Sequence, residues 1–164
     1  MNKSTLKKFF SNFIILIIIF LIDRVSKLYI LKLAEVENTV DIYVTSYLNL
    51  FLIWNKGVAF GLLSVDESLL YNVVTAIIVI IVLIILLMIT RSEGLEKYAL
   101  LSVFGGAIGN LFDRFYYSAV PDFIDFHIAG FHWFIFNIAD IFITLGVICL
   151  IYVEIFTHKI KHEK

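Results

Sequence analysis

The chain has 164 residues, 61% of them hydrophobic and only 16% charged, with a single proline; soluble domains are about half apolar and a quarter charged, so the excess points to lipid as solvent. A formal net charge of -1 gives no basic field for a nucleic-acid partner. The lone cysteine, Cys149, excludes an intramolecular disulfide and a cysteine-based metal site.

Taken in chain order, the first segment places Lys3, Lys7 and Lys8 before an apolar run that ends in Asp23, Arg24 and Lys27. It lacks the small-residue cleavage site of a secretory signal and is read as a retained membrane helix over 9–29. Between 34 and 68, Val40, Ile42 and Val44, then Leu48, Leu50, Leu52 and Trp54, alternate in part. That period predicts a small antiparallel β piece on the membrane surface, with Tyr43, Tyr47 and Trp54 at the interface. "NKGVAFG" at 55–61 then turns back, and Asn55 and Gly57 equally fit ordinary turn chemistry.

The run over 69–90 is uninterrupted and long enough for the ~30 Å hydrocarbon layer. A weaker span over 98–115 carries Gly105, Gly106 and Gly109, small residues that let helices approach closely. The segment 116–135 reads as a second loop, broken at Pro121, with Phe131, Trp133, Phe134 and Phe136 as an interfacial belt. A fourth span follows over 136–156. The fold expected is therefore a single membrane domain over 1–164, with four transmembrane α-helices and a small extracytoplasmic β-rich segment.

Basic residues set the orientation. Lys3, Lys7, Lys8, Arg91, Lys97, Lys159, Lys161 and Lys164 fall on one side of four crossings, which predicts both termini cytoplasmic and the loops 34–68 and 116–135 outside. Counted from those lysines at 1.5 Å per residue, Asp23, Asn110, Arg114 and Asp140 lie roughly 20–28 Å into their helices. Three helices thus bring polar residues to one level near the outer surface. Within each, Asp23 and Lys27, Asn110 with Asp113 and Arg114, and Asn137 and Asp140 are spaced to share a face.

Several chemistries are excluded by motif. There is no G-x-S-x-G elbow, no P-loop and no helical H-E-x-x-H; His127 and His132, five apart, read as interfacial residues. Carboxylates remain. Asp122 and Asp140, brought close, cannot both ionise easily, and one proton shared between them supplies an acid and a base for hydrolysis. Residue types leave open a second account, in which these acids form structural ion pairs with Arg114, Lys27 and Arg24. An ion-coupled transporter is a rival class, disfavoured by acids at one surface and by four unequal spans without an inverted repeat. A noncatalytic membrane-assembly factor is a third.

Five blocks in order, "DRVSK" at 23–27, "NKGVAFG" at 55–61, "GGAIGNLFDR" at 105–114, "VPDFIDF" at 120–126 and "FNIADIFITLG" at 136–146, resemble the bacterial lipoprotein signal peptidases, the type II signal peptidases. The resemblance implies that Asp122 and Asp140 are the catalytic aspartates, with Asp23, Lys27, Asn55, Gly57, Asn110, Arg114 and Asn137 binding substrate or supporting the pair. It also implies a diacylglyceryl-modified prolipoprotein substrate cut before its lipidated cysteine, and inhibition by globomycin. No metal and no cofactor are expected, and the implied enzyme is a monomer among the lipids of the inner membrane, its site at the extracytoplasmic surface. Pro121 departs from the family, which more often carries valine there. Asp125 competes with Asp122 on chemistry alone, and the resemblance favours Asp122.

Overall fold

The computed structural model describes residues 3–57, 67–128 and 131–162. The "NKGVAFG" bend beyond Gly57 lies outside the described residues. Four helices and four strands follow one another as α1 (Lys3–Glu37), β1 (Asp41–Thr45), β2 (Leu48–Asn55), α2 (Glu67–Arg91), α3 (Gly94–Tyr117), β3 (Val120–Ile128), β4 (Phe131–Phe136) and α4 (Ile138–His162).

Two helical stretches, Ser68–Arg91 and Ile138–Phe156, are long and apolar enough to cross a bilayer by length and composition. Their outward faces carry large aliphatic side chains about half exposed, among them Ile80, Leu83 and Leu87 on α2 and Ile148 and Ile151 on α4. Such a continuous apolar surface fits lipid, not water. Helix α1 is longer than the predicted 9–29 span: its 35 residues extend about 50 Å, and its last turns leave the bundle. There Ile30, Leu33 and Ala34 pack with Val40, Leu50, Leu52 and Phe123 against the sheet. At the other end, Leu100, Leu101 and Ile89 join Ile15, Leu16 and Leu150, so α3 is the element on which the other helices pack.

The sheet is antiparallel throughout, in the order β1-β2-β3-β4. The predicted β piece over 34–68 forms β1 and β2, but the segment 116–135, expected as a loop, supplies the other half as β3 and β4. Phe131, Phe134 and Phe136, expected in an interfacial belt, lie in β4, with Phe131 and Phe134 exposed. Phe136 likewise ends β4, and α4 begins two residues later. Pro121 lies near the start of β3, opposite Trp54 of β2, and β4 pairs with β3 only from Ile124 onward.

Close helix approach depends on glycine. A Cβ at Gly106 would meet the Ala139 carbonyl oxygen and sit 2.8 Å from Ile143, and one at Gly109 would lie 2.6 Å from the Asp23 carboxylate. The carbonyl of α4 cannot rotate aside as a side chain would. Gly106→Ala is therefore expected to push α3 and α4 apart, costing about 1–3 kcal/mol. It should lower the unfolding midpoint in detergent, and an unchanged midpoint would show that the helices tolerate the spacing.

Candidate active site

Polar residues from every helix but α2, and from two strands, converge where α1, α3, β3 and α4 meet. Lys27, fully buried, donates to Asp23 Oδ2 at 2.9 Å, Asn110 Oδ1 at 2.9 Å and Asp113 Oδ2 at 2.6 Å, satisfying all three ammonium protons. Arg24 pairs with the other oxygen of Asp113, and its guanidinium lies 5.0 Å from the Phe112 ring centre. Asp23 Oδ1 accepts from the Ala139 N–H at 3.0 Å. Two acids and two bases thus balance one another and tie α1 to α3 and to the start of α4. Arg24 is the less complete member: its Nε and Nη2 are buried without a hydrogen-bond partner, and Phe112 lies beside its guanidinium.

Asp113 and Arg24 are members of this network that the expected site residues do not include. The signal for Asp113 was present: it lies three residues after Asn110, on the face assigned to the interior.

Asp122 and Asp140 belong to a second, amide-built network. Asp122, 1% exposed, accepts from Asn55 Nδ2 at 2.8 Å on Oδ2 and from Asn137 Nδ2 at 2.6 Å on Oδ1. Asp140 accepts from Asn110 Nδ2 at 2.8 Å and from the Asn137 backbone N–H at 3.1 Å. Asn137 Oδ1 in turn accepts from the Asp140 N–H at 3.1 Å. That reciprocal pair is a capping box at the start of α4, with Asn137 as the cap and not, as its spacing suggested, a residue inside the helix. One asparagine therefore touches both acids, through its side chain on one and its backbone on the other.

The alternative of structural ion pairs is not what the geometry shows. Among the described residues, Lys27 and Arg24 pair with Asp23 and Asp113, and no ion pair reaches Asp122 or Asp140. The two networks meet at Asn110, whose oxygen takes a Lys27 proton while its NH₂ serves Asp140. Burial pushes the Asp122 carboxyl up to about 6; the Asn55 and Asn137 hydrogen bonds oppose this, the Asp140 charge adds to it, and Lys27 opposes it.

Among the described residues Arg114 makes no ion pair with either acid. Its guanidinium lies 5.5 Å from the Tyr71 ring centre, and a Cβ on Gly57 would be 2.8 Å from its Nη2. Gly57 takes a positive φ of 77°, and its N–H donates to Asn55 Oδ1 at 2.6 Å. The turn thus orients the same Asn55 amide that reaches Asp122, so turn chemistry and site chemistry are served by one residue. Asp125, the competing carboxylate, is engaged elsewhere, with His132 Nδ1 at 2.8 Å.

A family model described as signal peptidase (SPase) II matches residues 15–156. The chain belongs to the signal peptidase II family. It is 56% identical, over 100% of its length and 99% of the relative's, to the lipoprotein signal peptidase of Pelagibacter ubique (strain HTCC1062). Identity to that of Anaplasma phagocytophilum (strain HZ) is 39%, over 92% of this chain and 95% of the relative. A solved bacterial membrane enzyme superposes with a TM-score of 0.70 at 28% identity, covering 94% of this chain and 93% of that one. Membership in the signal peptidase II family makes the chain a membrane enzyme of lipoprotein processing, an aspartic-type peptidase. Beside Asp140 in this family member opens an apolar cavity of about 250 Å³, lined by Phe134, Phe136, Ile141, Thr144 and Leu145.

Proposed function

We propose that the chain removes signal peptides from diacylglyceryl-modified prolipoproteins, cutting before the lipidated cysteine with Asp122 and Asp140 as the catalytic pair. The observation that carries this reading is the shared asparagine: Asn137 holds both carboxyl groups at once, and neither is neutralised by a cation. Acids kept apart from counter-ions in a buried site are available for proton transfer.

In the reaction, ionised Asp140 takes a proton from the attacking water as its oxygen bonds to the scissile carbonyl carbon. Protonated Asp122 donates to the carbonyl oxygen. As the tetrahedral intermediate collapses, Asp122 recovers its proton from the hydroxyl and the proton on Asp140 passes to the leaving amine. The raised Asp122 carboxyl supports it as the proton carrier. Asn55 and Asn137 leave each of its oxygens a second lone-pair direction for that proton.

The wider topology follows from the same reading. All four helices cross the inner membrane, both termini are cytoplasmic, and the sheet lies on the extracytoplasmic side. Substrate acyl chains stay in the bilayer against the apolar cavity beside Asp140, while the peptide enters beneath β2 and the turn at Asn55–Gly57. Asp23, Lys27, Asn110 and Asn137 hold the acids; Asn55, Gly57 and Arg114 line the approach. The enzyme acts as a monomer without metal or cofactor.

Purified enzyme is expected to convert a lipidated precursor to its shorter form on a gel, and globomycin should block the conversion. Since Asp122 must carry a proton and burial pushes its carboxyl up to about 6, kcat/KM should fall as pH rises through that value. At pH 7 roughly a tenth of free enzyme would be competent. Substrate binding excludes further water and raises the carboxyl again, so the limb in kcat should lie at higher pH. A kcat/KM profile flat from pH 5 to 8 would remove Asp122 as the acid.

A further inference from the structure

We propose that Asp125, His127 and His132 form a zinc site on the sheet, distinct from the aspartate pair and not required for hydrolysis. Strand pairing assembles it. Asp125 and His127 are two apart on β3 and so share a face, and His127 lies directly opposite His132 on β4. Between the Asp125 and His127 rungs one residue of β3 opposes two of β4, an irregularity of the bulge type that re-aims side chains. Asp122 is an odd step from Asp125 and falls on the other face of β3.

The ligand atoms of the three residues all lie within 4.8 Å of one another. His132 Nδ1 is 2.8 Å and His127 Nδ1 3.6 Å from the same Asp125 oxygen, with the imidazoles stacked 4.9 Å apart. Zinc bonds of about 2.1 Å in tetrahedral geometry place ligand atoms roughly 3.4 Å apart, so small side-chain rotations admit the ion.

A plain Asp–His hydrogen bond explains only part of this arrangement. It serves His132, yet His127 Nδ1 is buried with no hydrogen-bond partner. Across β2, Asn49 pairs with Asp125, and its Oδ1 is likewise buried and unpartnered. A cation takes the lone pair of His127. Its bound water, in the position that three protein ligands leave open, is a donor for Asn49. Two imidazoles and one carboxylate suit zinc, a borderline ion that prefers nitrogen and oxygen donors in this number. Bound there, zinc would clamp β3 to β4, the strands that lead to Asp122 and Asp140.

The test uses full-length enzyme in detergent, purified without a histidine tag. Histidine is a common zinc ligand and the sequence also holds His158 and His162, so the background is His158→Ala with His162→Ala. Zinc titrated against a chromophoric chelator should bind at one ion per chain and raise the unfolding midpoint. His132→Ala should weaken binding at least tenfold and abolish that rise, measured against the variant's own zinc-free midpoint. Cobalt(II) should give visible bands that His132→Ala removes. His127→Gln, which keeps a polar group at the buried position, should weaken binding similarly and covers a misfolding His132 variant. Absence of a stoichiometric ion in the background, or unaltered affinity in both variants, overturns the site.

Discussion

Asparagine at position 122 or 140 is expected to lower kcat on a lipidated precursor by at least about 10³-fold, the scale of general acid–base catalysis, while precursor binding persists. The two substitutions together should cost little more than either alone, because groups that act as a unit are not additive. Pure scaffolding would behave otherwise: the variants would lose unfolding free energy, and activity would fall only as far as folded protein did. Asparagine also keeps the volume of aspartate. At Asp140 its amide oxygen can still accept from the Asn137 N–H, and the backbone N–H of residue 140 still donates to Asn137 Oδ1, so both bonds of the capping box persist. Either variant processing precursor at the parental rate would end the proposed chemistry.

The second large effect lies one layer away. Lys27→Met leaves Asp23 and Asp113 buried with only Arg24 to balance them, and removal of one partner from a buried charge network costs about 3–5 kcal/mol. Adding Asp23→Asn to that variant removes the surplus charge, and its amide oxygen can still accept from the Ala139 N–H, so part of the loss should return. Chemical unfolding in detergent measures both; a single variant within about 1 kcal/mol of the parent would place the network outside the folding energetics. Activity should fall as well. Lys27 fixes which way the Asn110 amide points, and that amide reaches Asp140. A drop in kcat that exceeds the loss of folded protein would report this orienting role.

Much of the architecture was readable in one dimension because its causes are local or additive along the chain. An unbroken apolar run such as 69–90 declares a long lipid-compatible helix, since every residue contributes to transfer. Spacing of three or four places Asp23 with Lys27, and Asn110 with Asp113, on one helical face, because the α-helical period is fixed by backbone geometry. The alternation in 40–54 announced β1 and β2 for the same reason. The glycines of α3 likewise marked where another helix comes close, as the contacts of Gly106 with Ala139 and Gly109 with Asp23 bear out.

What only the folded chain decided was which distant groups meet. The strands of 120–136 were mistaken for a loop because aromatic residues serve a membrane interface and a strand equally, and the choice came from pairing with β2. Asn137 looked like a helical residue, whereas its role as cap and as bridge between two acids exists only where β4 ends against α4. Arg114 lies against Tyr71, a neighbour set by where the start of α2 packs on α3. His127 and His132 are five apart in sequence and adjacent in space through strand register. Local periodicity dictates the direction of a side chain; its partner depends on packing between elements, which no single segment encodes.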